Sequence, residues 1–192
     1  MKLTKEIIHT NKMKITETTK KTSELMDNLR KKFSVYSYWD NDELDKNFPV
    51  PKETTTREFT DTQESTDFKG NSWNEMDKTN MMTLREYILF FQAYYEKYKK
   101  YPDEIGWTVF KDSLSDDWVA NGCWSPGSRE VGFGWNNSGN RYAYYGARVA
   151  ISLCDSSAIS CSLTDMPPVI KNHEDRLARI EAWINGVKNQ LL

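Results

Sequence analysis

Apolar residues recur along the chain at two spacings, and each spacing predicts a different element. Leu25, Leu29 and Phe33 stand four residues apart and share one helical face. Thr22 or Ser23 stands where the cap of that helix belongs. The whole segment from Met1 to Phe33 is polar and reads as helix-like. Val35, Tyr36, Tyr38 and Trp39 then form a short aromatic, strand-like run. Phe48-Pro49-Val50-Pro51 enforces extended backbone, because proline lacks a donor and restricts the residue before it. From Lys52 to Asn80 the chain is rich in Thr, Asp and Glu with few aliphatics, which predicts a long exposed loop or partly ordered arm.

The clearest helix follows. Thr83-Leu84-Arg85-Glu86 has the capping-box pattern, Thr at the cap and Glu three residues on. Leu84, Tyr87, Ile88, Phe91, Tyr94, Tyr95 and Tyr98 lie on one broad face, and Pro102 stops the run. Short strand-like pieces come next: Gly106 to Phe110, Trp118 to Trp124, Glu130 to Trp135, and Ala147 to Leu153. Gly, Pro, Asn and Asp separate them, as turns require. A helix followed by short strands implies an α+β domain.

After Pro167-Pro168, the residues Ile170, His173, Leu177, Ile180, Ile184, Val187 and Leu191 alternate at three- and four-residue spacing. That is a heptad seam, and it predicts a C-terminal amphipathic or coiled-coil helix that makes a homo-oligomer. The alternative is an amphipathic helix packed on its own domain. Gly186 and the His173 seam position both weaken the helix.

Composition narrows the function classes. Hydrophobic residues are 38% and aromatics 13%, so rings carry much of the apolar content. The net charge is −2, with no basic excess to suggest nucleic acid. The start, Met1-Lys2-Leu3-Thr4-Lys5-Glu6, lacks the apolar run of a signal peptide, and no stretch reaches the ~20 apolar residues of a membrane span. A cytoplasmic location is the default expectation. Three cysteines, Cys123, Cys154 and Cys161, without CxxC spacing, argue against a disulfide framework or a structural zinc site. The two histidines, His9 and His173, stand near no nucleophile motif, so neither a Ser-His-Asp nor a Cys-His arrangement has a starting point. Asp112, Asp116 and Asp117 form a loop able to offer oxygen ligands to calcium, but without the spacing of a helix–loop–helix site; an exposed acidic turn is the plainer reading. Gly132-Phe133-Gly134 reads as close backbone packing or a bulge, not a phosphate cradle. No catalytic residue, metal or cofactor is expected.

The window Asn121 to Arg148 stands apart. It holds six of the nine glycines, four Asn, three Ser, three Tyr, two Trp and three Arg, with Glu130 as its single acid. Antibody paratopes use this mixture: Tyr and Trp give rigid contact area, while Ser, Gly and Asn give adaptable hydrogen bonds. Arg adds planar donors, and Trp, Tyr and Arg are the residues favoured at binding hot spots. The plainer reading is a Gly-rich hairpin whose Trp124, Phe133 and Trp135 fill a core. Asn136-Asn137-Ser138-Gly139-Asn140 is too polar for that role.

Gly106-Trp107-Thr108, Asp117-Trp118-Val119, Trp124, Val131-x-x-x-Trp135 and the closing run Gly146-Ala147-Arg148-Val149-Ala150-Ile151-Ser152-Leu153 together resemble the variable proteins of diversity-generating retroelements. The resemblance spans residues 84–153. It implies a C-type-lectin-like domain with a diversified ligand-binding face, in which adenine mutagenesis rewrites chosen codons, and a fold that brings its termini together. The implied ligand-binding residues are Trp124, Ser125, Gly127, Ser128, Arg129, Asn136, Asn137, Ser138, Asn140, Arg141, Tyr142, Tyr144 and Tyr145. The variable region of such proteins commonly ends the chain, whereas here 39 residues follow Leu153. Cys154 and Cys161 lie outside any pair motif, so the oxidase activity of some lectin-fold relatives is not implied.

The expected organisation is therefore a helical and extended N-terminal arm (1–80), a C-type-lectin-like domain (81–155), and a linker with an oligomerising helix (156–192). The expected function is non-enzymatic binding of a protein or glycan ligand, with a structural or assembly role as the alternative.

Overall fold

The computed structural model describes residues 11–151. The heptad seam from Ile170 to Leu191, His9, His173, Cys154 and Cys161 lie outside them. The described residues are α+β: three α-helices, a short 3-10 turn, and two sheets.

The N-terminal segment differs from the helical expectation. Strand β1 (Lys12–Thr16) comes first and pairs antiparallel with β3 (Thr56–Thr60). Its sequence, KMKIT, alternates: Met13 and Ile15 are buried while Lys12, Lys14 and Thr16 face solvent. That period of two is the strand signature, but it is short and lies within a Lys/Thr-rich run. Helix α1 (Thr22–Arg30) buries Leu25 and Leu29 as their spacing requires, and Met26 with them. Neither Thr22 nor Ser23 caps it. Lys21 is the cap residue, and Thr22 and Ser23 are the first helical positions. Phe33 lies beyond the helix end and meets Phe91 edge-on at 5.3 Å.

Strand β2 (Val35–Ser37) precedes α2 (Asn41–Asn47), whose start is a full capping box between Asp40 and Glu43. The stretch expected as an exposed loop carries β3, where Phe59 is fully buried, and a 3-10 turn at Trp73–Glu75. Single anchors pin it: Phe59 and Met76 are buried, and Asp67 exchanges backbone hydrogen bonds with Ala147 at 3.2 and 2.7 Å. Anchors so widely spaced leave no periodicity to read. Thus residues 11–80 are not a separate arm. Met13, Ile15, Leu25, Leu29, Leu44, Phe48 and Phe59 share one hydrophobic core with the residues of the next helix.

That helix, α3 (Leu84–Tyr98), begins with the expected capping box at Thr83 and Glu86. It ends at Lys99, in the left-handed conformation at φ 55°. Beyond the expected face it also buries Arg85, Glu86 and Phe90. Arg85 is paired to Glu17 at 3.2 Å and Glu86 to Arg57 at 2.9 Å, so both buried charges have partners.

Strands β4 (Trp107–Ser113), β5 (Trp118–Ser125) and β6 (Glu130–Asn137) form an antiparallel meander. β2 adds in parallel beside β6, and the two-residue β7 (Tyr145–Gly146) adds in parallel beside β4, giving the order β2-β6-β5-β4-β7. The expected strand from Ala147 onward makes isolated bridges instead, Ala147 to Asp67, Val149 to Met81 and Ala150 to Phe59. Gly132 and Gly134 are not sites of close packing, since a Cβ there would meet its nearest neighbour at 3.9 or 3.8 Å. Within the hairpin the close approach is at Gly122, where a Cβ would lie 2.9 Å from the Phe110 ring. The register irregularity falls in β4, between Val109 and Ser113.

Candidate functional site

Register decides where each expected binding residue sits. In the β5–β6 hairpin, Ser125 pairs with Glu130 at the turn and Trp118 with Asn137 at the other end. Seven residue steps separate these ends, roughly 23 Å at the rise of a strand. Ser125, Gly127, Ser128 and Arg129 therefore occupy one end, and Asn136 and Asn137 the other. From there the chain runs through Ser138, Asn140, Arg141 and Tyr142 to Tyr144 and Tyr145 at the far sheet edge, where Tyr145 pairs with Trp107. The expected residues do not form one contiguous face.

Three of them are inside. Trp124 is 7% exposed, its ring stacked on Tyr101 at 3.6 Å and 7°. Ser138 is buried and donates to the Asp116 carbonyl. Tyr145 is buried against Val109 and Val119, and burial pushes its phenol up. Others are tied into local structure. Asn140 donates to Asn136 Oδ1 at 3.0 Å and to the Tyr142 hydroxyl at 3.2 Å, and Arg141 pairs with Glu75. Tyr142 and Tyr144 stack at 5.2 Å, leaving Tyr144 exposed.

Trp118, Ala120, Gly122 and Trp124 stand opposite Asn137, Trp135, Phe133 and Val131, so all eight share one face of the hairpin. Most of that face packs beneath α3: Ala120, Trp124, Val131 and Phe133 are core residues. Trp118 and Trp135 are diagonal neighbours at the end of the same face, and both remain on the surface at 39% and 38% exposure. Their rings meet at 4.2 Å and 76°. Tyr38, just past β2, closes on Trp135 at 5.5 Å and 89° and is itself 54% exposed. Its backbone N–H donates to the Phe133 carbonyl at 3.1 Å, which holds it beside the hairpin.

These three rings wall an open groove of ≈ 450 Å³. Buried Trp39 forms part of its lining, Glu43 and Asn47 of α2 stand on one side, and Leu114 and Ser115 of the β4–β5 turn on the other. None of the thirteen expected binding residues lines this groove; Trp135, expected to fill the core, is the one lining residue from the compositional window. Trp118 falls three residues ahead of the compositional window, and Tyr38 follows a strand far away in sequence. Pairing register would have aligned Trp118 with Trp135; nothing local would have brought Tyr38 to them.

A second groove of ≈ 430 Å³ lies at the hairpin's turn end. Trp124, Tyr101, Pro126, Arg129, Lys32 and Glu104 line it. It reaches two of the expected binding residues, Trp124 and Arg129, but its ring floor is largely covered.

Two titratable groups near the sheet, Cys123 and Asp112, are committed to the fold. Cys123 is 5% exposed, and burial pushes its thiol up to about 12, which leaves it inert as a nucleophile. Asp112 does not join Asp116 and Asp117 in a ligand set. Its carboxylate accepts the Leu84 N–H at 2.6 Å at the start of α3, and burial raises it to about 6. Among the described residues no group of three His, Cys, Asp or Glu side chains is arranged to hold a metal, and no helix is long and apolar enough to cross a membrane.

Fold and site thus define an α+β protein with an aromatic surface groove at the end of its central hairpin. No family model, curated protein or solved structure matches the chain.

Proposed function

We propose that this chain is a non-enzymatic ligand-binding protein whose contact site is the groove between Tyr38, Trp118 and Trp135. The observation that carries this reading is the exposure of three neighbouring rings, Tyr38, Trp118 and Trp135, at 54%, 39% and 38%, with Trp135 packed on both others. Rings of this size are ordinarily buried, and exposed aromatic clusters beside polar groups mark binding surfaces. A groove of ≈ 450 Å³ falls in the size range of small-molecule sites.

The frame we propose is C-type-lectin-like, of the kind that variable proteins of diversity-generating retroelements use. Two observations support it. Ala150 bridges to Phe59 of β3, and β3 pairs with β1, so both ends of the described chain meet at one small sheet. The closing run Gly146 to Ile151 also supplies Arg148, whose guanidinium is buried in the interior.

Ligand-observed NMR on the full chain tests the groove. A mixture of mono- and oligosaccharides and small metabolites is offered to the wild type and to a W118A/W135A double variant. Compounds that contact the wild type and not the variant support the reading. Identical profiles for both proteins reject it.

A further inference from the structure

The groove's walls and charge select a ligand class. Trp135 stands nearly perpendicular to both neighbours, at 76° to Trp118 and 89° to Tyr38, and all three rings line the groove. The ring faces carry negative partial charge and attract a cation.

The polar lining has the matching sign. Glu43 is its one charged residue; Asn47 and Ser115 are neutral, and no Lys or Arg lines the groove. Glu43 is exposed, and one of its oxygens accepts the Asp40 N–H at 3.1 Å in the capping box of α2. That bond fixes the carboxylate at the groove. The start of α2 adds Asp40 and Asp42, with Lys46 in its last turn, and the β4–β5 turn adds Asp116 and Asp117, so the flanking elements carry net negative charge.

We propose that the groove binds a small organic cation of the quaternary or multiply methylated ammonium class. The methylated head sits among Tyr38, Trp118 and Trp135, and Glu43 supplies the counter-charge. Asn47 and Ser115 are placed to hydrogen-bond the polar remainder of the molecule, for which a ≈ 450 Å³ groove leaves room. Such a head has no N–H to donate, so ring faces and one carboxylate suit it better than a set of hydrogen-bond acceptors. This assignment rests on the groove being the binding site.

The test is calorimetric titration of the full chain with choline, tetramethylammonium and 3,3-dimethylbutan-1-ol, the last a neutral isostere of choline. Both cations are expected to bind, and choline at least about tenfold more tightly than the isostere. The E43Q variant keeps the capping-box acceptor, because glutamine serves there as well as glutamate. It should fold as the wild type does and lose about tenfold in choline affinity with the isostere unchanged. Equal affinity for choline and isostere, or choline affinity unaltered in E43Q, overturns the cation assignment. An oligosaccharide that binds through Trp118 and Trp135 while choline does not overturns the ligand class and leaves the groove standing. Choline bound equally by the wild type and W118A/W135A overturns both.

Discussion

Asp103 and Arg148 form an ion pair wholly inside the protein: Nη2 of the guanidinium lies 2.8 Å from Oδ1, and the side chains are 1% and 0% exposed. Asp103 is held at every acceptor. Oδ1 also accepts the Ser65 N–H at 2.8 Å, while Oδ2 accepts the Tyr87 hydroxyl at 2.9 Å and the Thr108 hydroxyl at 2.7 Å. Arg148 further donates to the carbonyls of Thr62 and Gln63 and lies 4.5 Å over the Phe90 ring. One pair thus ties the segment after β3, helix α3, strand β4 and the closing run together.

Removing either partner leaves an uncompensated charge in the interior. Arg148→Met and Asp103→Asn are each expected to cost about 3–5 kcal/mol. Urea unfolding of the single and double variants checks this. The double variant should be less destabilised than the sum of the singles, because it strands no charge. Strict additivity would mean that the pair is not coupled.

This hub also marks where the sequence ceased to be readable. Capping-box chemistry is local, so Thr83 and Glu86 announced α3 correctly. Turn residues and β-formers announced the meander for the same reason. Asp103, Arg148, Ser65 and Thr108 are joined by tertiary geometry alone, and no spacing betrays them. β1 was missed because five alternating residues are too few to outweigh their Lys- and Thr-rich surroundings. The groove itself was not legible. Composition drew attention to Trp135, but the window's other residues scatter along the hairpin once register is known, and Tyr38 arrives from another strand.

Asp112 gives the fold a pH dependence. Its carboxyl is raised by burial from 3.8 to about 6, with the Glu17 carboxylate adding to the shift and the Leu84 N–H opposing it. The folded state therefore prefers the protonated form. Its stabilising contribution is complete below about pH 4, and it is lost as pH rises through about 6. Asp112→Asn keeps an oxygen for the Leu84 N–H and removes the buried charge. At pH 7.5 it should stabilise the protein by about 1–3 kcal/mol, and near pH 3.5 the advantage should vanish. Thermal unfolding across this range decides. A variant weaker than wild type at pH 7.5 would show that the anion's interaction with the helix start outweighs its burial.

Two glycines of the same window should answer substitution in opposite ways. A Cβ on Gly146 would lie 2.6 Å from the Ser65 carbonyl oxygen, a backbone atom held in place by the Asp103 hub. Gly146→Ala is expected to cost about 1–3 kcal/mol through overpacking. Gly127 has open space around it and no left-handed backbone. Gly127→Ala should be neutral or stabilise by up to about 1 kcal/mol by restricting the unfolded chain. Equal losses at the two positions would contradict the packing described for the closing run.

Burial also sorts the positions that a diversity-generating mechanism would be free to rewrite. Ser125 is half-buried, Gly127, Ser128, Arg129, Arg141 and Tyr144 are exposed, and all six accept other side chains without disturbing the core. Ser138 and Tyr145 are buried, and Arg148 is committed to Asp103. If the chain is such a variable protein, its locus will hold a near-copy of the Asn121–Arg148 coding segment, differing mainly at adenines, beside a reverse transcriptase gene. The differing codons will then concentrate at the accessible positions and spare Ser138, Tyr145 and Arg148, because substitution there removes a buried hydrogen bond, packed ring or charge. Sequencing the flanks and comparing the two copies measures this directly. A repeat whose differences fall on the buried positions would refute the assignment of frame and face. A locus with neither repeat nor reverse transcriptase would leave a fixed groove, with Tyr38, Trp118 and Trp135 serving one ligand.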